Sequence, residues 1–287
     1  MQQISRTHSL AQSLRISSTL LPWLLCSSIL VAYNVTNVAA FILCSLLIVT
    51  SYGFVTIYND LSDYKIDTAN RRKDIPLADS RVSRKDLRDL LLGLMIIGCI
   101  TAALLSNLAL LWLSMYFLLG WLYSGPANFK GRGALALITL GICYGIMPLL
   151  LGYIIANETL SAQGCLLLVA SFLFSAGIVS LKDFKDIKGD SLHNKRTLLV
   201  QYGPGITHKL IITLTCLAYL AIIVGIHISN GRGILFYVSI AAVFLNLFLL
   251  WPKEVRVVSA IRKRNGNLAR FIFFIYISIV SIMLLGT

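Results

Sequence analysis

Two runs of aspartate share one spacing. The first reads Asn59-Asp60-Leu61-Ser62-Asp63-Tyr64-Lys65-Ile66-Asp67, the second Asp183-Phe184-Lys185-Asp186-Ile187-Lys188-Gly189-Asp190. The chain has only 12 acidic residues, and these runs hold six of them, each just past a long apolar stretch. A carboxylate at a membrane boundary is costly to desolvate, so it has a cation, a partner or a task. In each run the aspartates stand at i, i+3 and i+7, which on a helix sets all three on one face. Asn59, Asp63 and Asp67 form a further ladder at i, i+4 and i+8. Carboxylates that close repel one another, and bound Mg²⁺ relieves the repulsion. Mg²⁺ takes oxygen ligands, typically one or two carboxylates with waters and substrate phosphates. One such run alone would read equally well as a solvated helix end with i,i+4 ion pairs such as Lys182 with Asp186. Two runs of identical spacing on the same membrane side favour a metal site.

The elements that position these residues follow from composition. The chain has 287 residues, 57% hydrophobic and 13% charged, with mean hydropathy +0.80; a soluble domain carries about 25% charged residues. The apolar runs are continuous rather than alternating, which favours helices over a β-barrel. The expected fold is an all-α polytopic membrane protein with about nine transmembrane helices around a central cavity opening to the cytoplasmic side. The expected spans are 17–33, 38–58, 87–106, 108–123, 134–156, 160–181, 206–228, 233–251 and 268–286, in one domain, 1–287, with no soluble appendage. The first span reads as a retained anchor, because no clear small-residue cleavage site follows it. The motifs follow spans two and six, a weak hint of a four-helix pseudo-repeat.

Net charge is +13, which in a soluble protein would point to nucleic acid. Here the basic residues fall between spans on one side, while the other side carries only Arg232. The positive-inside rule accounts for this, places the amino terminus in the cytoplasm and the carboxyl terminus outside, and leaves no role for nucleic acid. In a bacterium or archaeon the host would be the cell membrane. Cys26, Cys44, Cys99, Cys143, Cys165 and Cys216 lie within spans and read as small packing residues. The sequons at Asn34 and Asn157 lie in very short loops and read as chance matches. Pro22 and Pro148 are expected to kink their spans, and Pro76 and Pro204 to punctuate loops. Arg15, at the entrance to the first span, reads as a snorkelling anchor rather than a contact for an acidic acceptor.

Cations are interleaved with the acids: Arg71, Arg72 and Lys73 after the first run, Lys130 and Arg132 in the next loop on that side, and Lys182 and Lys185 at the second run. Metals together with Lys and Arg make a clamp for an anion such as diphosphate. At this point the chain resembles the UbiA superfamily of intramembrane prenyltransferases. Asn59-Asp60-x-x-Asp63-x-x-x-Asp67 is similar to its first aspartate-rich motif and Lys182-Asp183-x-x-Asp186-x-x-Gly189-Asp190 to its second. Asn70-Arg71-Arg72-Lys73-Asp74-Ile75-Pro76-Leu77-Ala78 is similar to its basic, proline-containing loop, and Tyr123-Ser124 followed by Lys130 fits as well. Where the family's second motif often has a tyrosine four residues before the lysine, this chain has Ile178.

The resemblance implies Mg²⁺-dependent transfer of an isoprenyl group from its diphosphate to a lipophilic or aromatic acceptor in the membrane lipid. Asn59, Asp63 and Asp67 would hold one Mg²⁺ with Asp60 close by, and Asp183, Asp186 and Asp190 another. Arg72, Lys130 and Lys182 would contact phosphate oxygens, and Tyr123 would face the allylic carbon. Family base rates lean towards an aromatic quinone precursor as acceptor. Glycerol phosphate, tetrapyrrole and sugar phosphate acceptors, and terpene cyclisation on the same metal site, remain alternatives. The reading from another class is a cation-coupled transporter. Against it, transporter carboxylates lie near the bilayer midplane, whereas these lie at the ends of spans.

Overall fold

The computed structural model describes residues 5–69, 71–185, 196–228, 234–250, 272 and 275–280. Among them every regular element is helical, and the only extended pairing is an isolated bridge between Arg132 and Arg196. In chain order the helices are α1 (Arg6–Ser13), α2 (Leu20–Ala32), α3 (Val38–Ser62), α4 (Tyr64–Ala69), α5 (Arg84–Leu105), α6 (Asn107–Ser124), α7 (Ala134–Gly141), α8 (Met147–Ala156), α9 (Ala162–Val179), α10 (Leu198–Ile228) and α11 (Ile234–Leu250). Among the described residues six helical stretches are long and apolar enough to cross a membrane: α3, α5, α6, α7 with α8, α9 and α10. The shorter α2 and α11 occupy the first and eighth expected spans. The ninth, 268–286, is helical at 272 and 275–280 and otherwise lies outside the described residues.

Local chemistry sets the helix ends. Asn37 caps α3, its Oδ1 accepting from the Ala39 amide at 2.9 Å. Ser83 and Asp86 form a capping box at α5, the Ser83 hydroxyl accepting from the Asp86 amide and the Asp86 carboxylate from the Ser83 amide. Ser106 ends α5 and caps α6 at once, so the two join through a single residue. The apolar faces then meet lipid. Ile96, Ile100 and Leu104 recur every fourth residue of α5 and are 56–68% exposed, and Leu108, Leu111, Met115 and Leu118 make a like stripe on α6. Water penalises such stripes and a bilayer does not. The chain is a multi-pass integral membrane protein.

The contacts divide the chain into two compact units: Met1–Trp23 with Asn37–Phe129, and Leu24–Thr36 with Lys130–Thr287. In the first, α3 packs on both α5 and α6. Gly120 lets α6 approach, since a Cβ there would stand 2.6 Å from Val55 Cγ2. In the second, α9 packs against α7 and α10, and α11 against α10. A π-helical turn, Ile142–Ile146, joins α7 to α8, and a Cβ on its Gly145 would stand 2.2 Å from the Ser171 carbonyl oxygen. Tyr276 stacks on Phe174 with ring centres 3.9 Å apart and shares a 2.8 Å hydrogen bond with Ser171.

The prolines depart in part from expectation. Pro22 sits in the first turn of α2, where its missing N–H is harmless, so it makes no mid-span kink. Pro148 directly follows the π-helical turn, as a kinked span requires. Pro204 is not in a loop: α10 already begins at Leu198 and breaks at Gly203, with φ 76° and ψ 171°, and Pro204 restarts it. All six cysteines are free. Asn34 and Asn157 both adopt left-handed backbone past helix ends, with φ 52° and 55°, which gives the two sequon asparagines a turn role.

Gly145→Ala is expected to lower the melting temperature in detergent clearly, at a cost of about 1–3 kcal/mol, because its obstacle is backbone. Gly120→Ala meets only the end of a valine side chain and costs less. Equal melting of Gly145→Ala and wild type in a thermal scan would contradict the close packing of the π-helical turn.

Candidate metal and diphosphate site

Asn59 and Asp60 stand in the last turn of α3, Asp63 at the junction and Asp67 in α4. The expected single helical ladder is interrupted: Asp63 caps α3 with φ −89° and ψ 2°, outside helical geometry. The i to i+4 hydrogen bonds nevertheless run on, Asp63 N–H to the Asn59 carbonyl and Asp67 N–H to the Asp63 carbonyl, each 2.9 Å. The three carboxylates therefore stay on an inward face, with Asp60, Asp63 and Asp67 1%, 9% and 7% exposed. The Ser124 hydroxyl at the end of α6 donates to Asn59 Oδ1 at 2.9 Å and orients its amide. The second lone pair of that oxygen stays available to a cation.

Asp60 is the exception within the motif. Its Oδ1 accepts from Arg15 Nη2 at 2.5 Å. Among the described residues no three His, Cys, Asp or Glu side chains converge as a metal-binding group. Asn59, Asp63 and Asp67 offer one amide oxygen and two carboxylates. That all-oxygen set fits Mg²⁺, which takes few protein ligands and completes its shell with water and phosphate.

The amino-terminal segment reaches the loop after the motif. Arg6 pairs with Asp86, Gln12 accepts from Arg81 Nη1 at 2.7 Å and donates to the Asp74 carbonyl at 3.4 Å, and Leu10 and Leu14 pack on a cluster of Ile57, Ile75, Leu77, Val82, Leu87 and Leu94. Arg81 also holds Asp79 at 2.9 Å and the Lys73 carbonyl at 2.9 Å. Arg72 follows Asp67 directly, its N–H bonded to the Asp67 carbonyl at 3.1 Å. Its guanidinium grips Asp74 through two 2.8 Å bonds.

The remaining expected residues fall elsewhere. Tyr123, partly buried, precedes Ser124 on α6. Lys130 lies in a 3₁₀ turn, Phe129–Gly131, of the second unit. Just beyond it, Gly133 N–H bonds the Arg196 carbonyl at 2.8 Å, and Arg196 N–H bonds the Gly131 carbonyl at 3.2 Å. Lys182 and Asp183 have backbone in a 3₁₀ helix, Ser180–Lys185. The Lys182 and Asp183 side chains, with Asp186 and Asp190, lie outside the described residues. Ile178, where a tyrosine was expected, is buried. Sequence reasoning missed the Ser124–Asn59 bond, the Arg15–Asp60 pair and the clamp made by Arg81. Their partners lie 65, 45 and up to 69 residues away, and no local spacing signals them.

The sequence pattern of the UbiA prenyltransferase family matches residues 20–278. This chain belongs to that family. Among its relatives, the digeranylgeranylglyceryl phosphate synthase of Methanobrevibacter smithii is 26% identical over 227 residues, covering 76% of this chain and 80% of that protein. The bacteriochlorophyll synthase 34 kDa chain of Chloroflexus aurantiacus is 24% identical over 172 residues, covering 60% of this chain and 55% of that one. A solved UbiA homologue from Aeropyrum pernix K1 superposes with TM-score 0.75 at 21% identity, over 93% of this chain and 98% of that chain. A homologue from Archaeoglobus fulgidus, bound to DMAPP and Mg²⁺, superposes with TM-score 0.68 at 17% identity, over 95% and 99%. The UbiA fold expected from the motifs is thus the fold found, and the protein is a prenyltransferase.

Arg81→Ala removes the clamp on the loop that follows the first motif. Tryptic cleavage at Arg71, Arg72 or Lys73 is expected to speed up severalfold while the rest of the digest is unchanged. A digest identical to wild type would show that Arg81 does not hold this loop.

Proposed function

We propose that this family member transfers an isoprenyl group from a prenyl diphosphate to a glyceryl phosphate lipid, using Mg²⁺ held by its aspartate motifs. The observation that carries the proposal is the burial of Asp63 and Asp67 on successive turns beyond Asn59, an oxygen-only set at the polar end of a membrane helix. Supporting it, the Archaeoglobus fulgidus homologue holds DMAPP and Mg²⁺. Bound Mg²⁺ would offset the negative charge that grows on the departing diphosphate. Asn59, Asp63 and Asp67 would hold one ion, and the second motif, Asp183, Asp186 and Asp190, another. Arg72 would exchange Asp74 for a phosphate oxygen, and Lys130 and Lys182 would supply further cations for the diphosphate. Tyr123 would present its ring to the allylic carbon as that carbon gains positive character. The carbon–oxygen bond to the diphosphate breaks, the acceptor oxygen bonds the same carbon, and the acceptor gives up its proton. The two compact units are on this reading parts of one catalytic domain, 1–287, with the amino terminus and the motif loops cytoplasmic.

The acceptor differs from the aromatic quinone precursor expected at the outset. The relatives above are named for a glyceryl phosphate carrying two geranylgeranyl groups and for bacteriochlorophyll, so their names favour the alternatives. The glyceryl phosphate is preferred because that relative matches more of both chains.

The test is incubation of purified protein with labelled geranylgeranyl diphosphate and a panel of acceptors: geranylgeranylglyceryl phosphate, a chlorophyllide, 4-hydroxybenzoate and none. Product is expected with the glyceryl phosphate and is lost with chelator. Asp63→Ala, Asp67→Ala and Asp186→Ala are each expected to lower turnover at least about 100-fold with normal extraction. Wild-type rates in these variants at saturating Mg²⁺ would overturn the site. Product only with 4-hydroxybenzoate or without acceptor would overturn the acceptor, and cation counterflow without turnover would favour transport.

A further inference from the structure

The first motif contains one carboxylate more than the proposed ligand set uses. Asp60 is the most deeply buried of the three at 1% exposed. Its Oδ1 is bound by Arg15, and its Oδ2 is buried with no hydrogen-bond partner among the described residues. A buried carboxylate beside two others would be drawn to any cation the others hold, and would compete with Asp63 and Asp67 for it.

Arg15 is placed to prevent this. α1 ends at Ser13, and the chain turns at Arg15 with φ 49° and ψ 45° before the 3₁₀ turn Ile16–Ser18. Side chains other than glycine rarely adopt that backbone, and it persists only where the surroundings enforce it. They do so here. Leu14 fills the gap at Gly53, where a Cβ would meet it at 3.0 Å, and the Ser13 carbonyl accepts from Thr56 Oγ1 at 3.5 Å. The same residues bring the guanidinium onto Asp60. Arginine keeps its charge at every working pH, so the neutralisation is permanent.

We propose that Arg15 is a positioning residue of the first motif: by pairing with Asp60 it keeps that carboxylate out of the metal shell and leaves the ion to Asn59, Asp63 and Asp67. This rests on the metal-site reading above and assigns the amino-terminal segment a role in the site. Asp60 is then a partner of Arg15, neither a metal ligand nor a group that touches substrate.

The test compares Arg15→Gln, Arg15→Gly, Arg15→Lys, Asp60→Asn, the double variant Arg15→Gln/Asp60→Asn, and Asp63→Asn with wild type. Each is assayed for kcat, for half-saturating Mg²⁺ with geranylgeranyl diphosphate, and for the rise in melting temperature on adding Mg²⁺. Arg15→Gln and Arg15→Gly are expected to lose at least about tenfold in kcat, as loss of an outer-shell partner does, and Arg15→Lys to recover part of it. Asp60→Asn should leave half-saturating Mg²⁺ within about twofold of wild type, whereas Asp63→Asn raises it at least about tenfold. The double variant, which removes both charges, should return to within about threefold of wild-type kcat. A double variant as impaired as the worse single one, or Asp60→Asn matching Asp63→Asn in Mg²⁺ requirement, would overturn the proposal. Wild-type behaviour of Arg15→Gly would reduce Arg15 to a backbone role and overturn it as well. Should wild type transfer no prenyl group, the functional reading fails and the melting shift decides: retained in Asp60→Asn and the double variant but lost in Asp63→Asn, it supports the pair; any other pattern overturns it.

Discussion

Carboxylates buried where an apolar helix leaves the membrane are the constraint around which the first unit is organised. Burial of Asp60, Asp63 and Asp67 is tolerable only with cations, donors and dipoles close at hand. Asp60 obtains a guanidinium from a residue 45 positions earlier. The Asn59 amide that shares this face is held by Ser124 from α6. The i to i+4 bonding that crosses the α3–α4 junction keeps all four side chains in order although helical geometry lapses at Asp63. What the fold has built is an oxygen-rich corner with one member already neutralised.

The remainder of the unit serves to fix that corner. α3 is long because it must deliver the motif from inside the bilayer, and it is gripped by α5 and α6. A one-residue connection at Ser106 fixes those two helices relative to each other. Past the motif the chain cannot simply wander into solvent. Ile75, Leu77 and Val82 anchor the loop in apolar packing shared with α1, and Arg81 ties its two ends to the amino-terminal segment. A small set of loop side chains thereby gives Arg72 a defined place one hydrogen bond beyond Asp67.

The chain's lengthwise plan was legible in the sequence, because hydropathy and helix length are set by the same bilayer. Eight expected spans coincide with described helices. The differences arise where polar residues continue a helix. Asn59 to Ser62 end the apolar run but not α3, and Leu198 to Tyr202 open α10 well before the hydropathy rises. The metal-ligand spacing was legible as well, since it is local. Arg15 was misread as a membrane anchor for the converse reason. Its lone position at a span entrance matches a snorkelling residue, and only the folded chain brings Asp60 to it. Family membership was legible because two local motifs and a topology had to agree. The acceptor was not, because nothing in either motif contacts it.

The most direct measurement is the anomalous scattering of Mn²⁺, substituted for Mg²⁺, in crystals grown with a prenyl diphosphate. The metal site proposed here places a peak about 2 Å from oxygens of Asn59, Asp63 and Asp67, with Asp60 still on Arg15. A peak ligated by Asp60, or none at this motif while the diphosphate is bound, would contradict it.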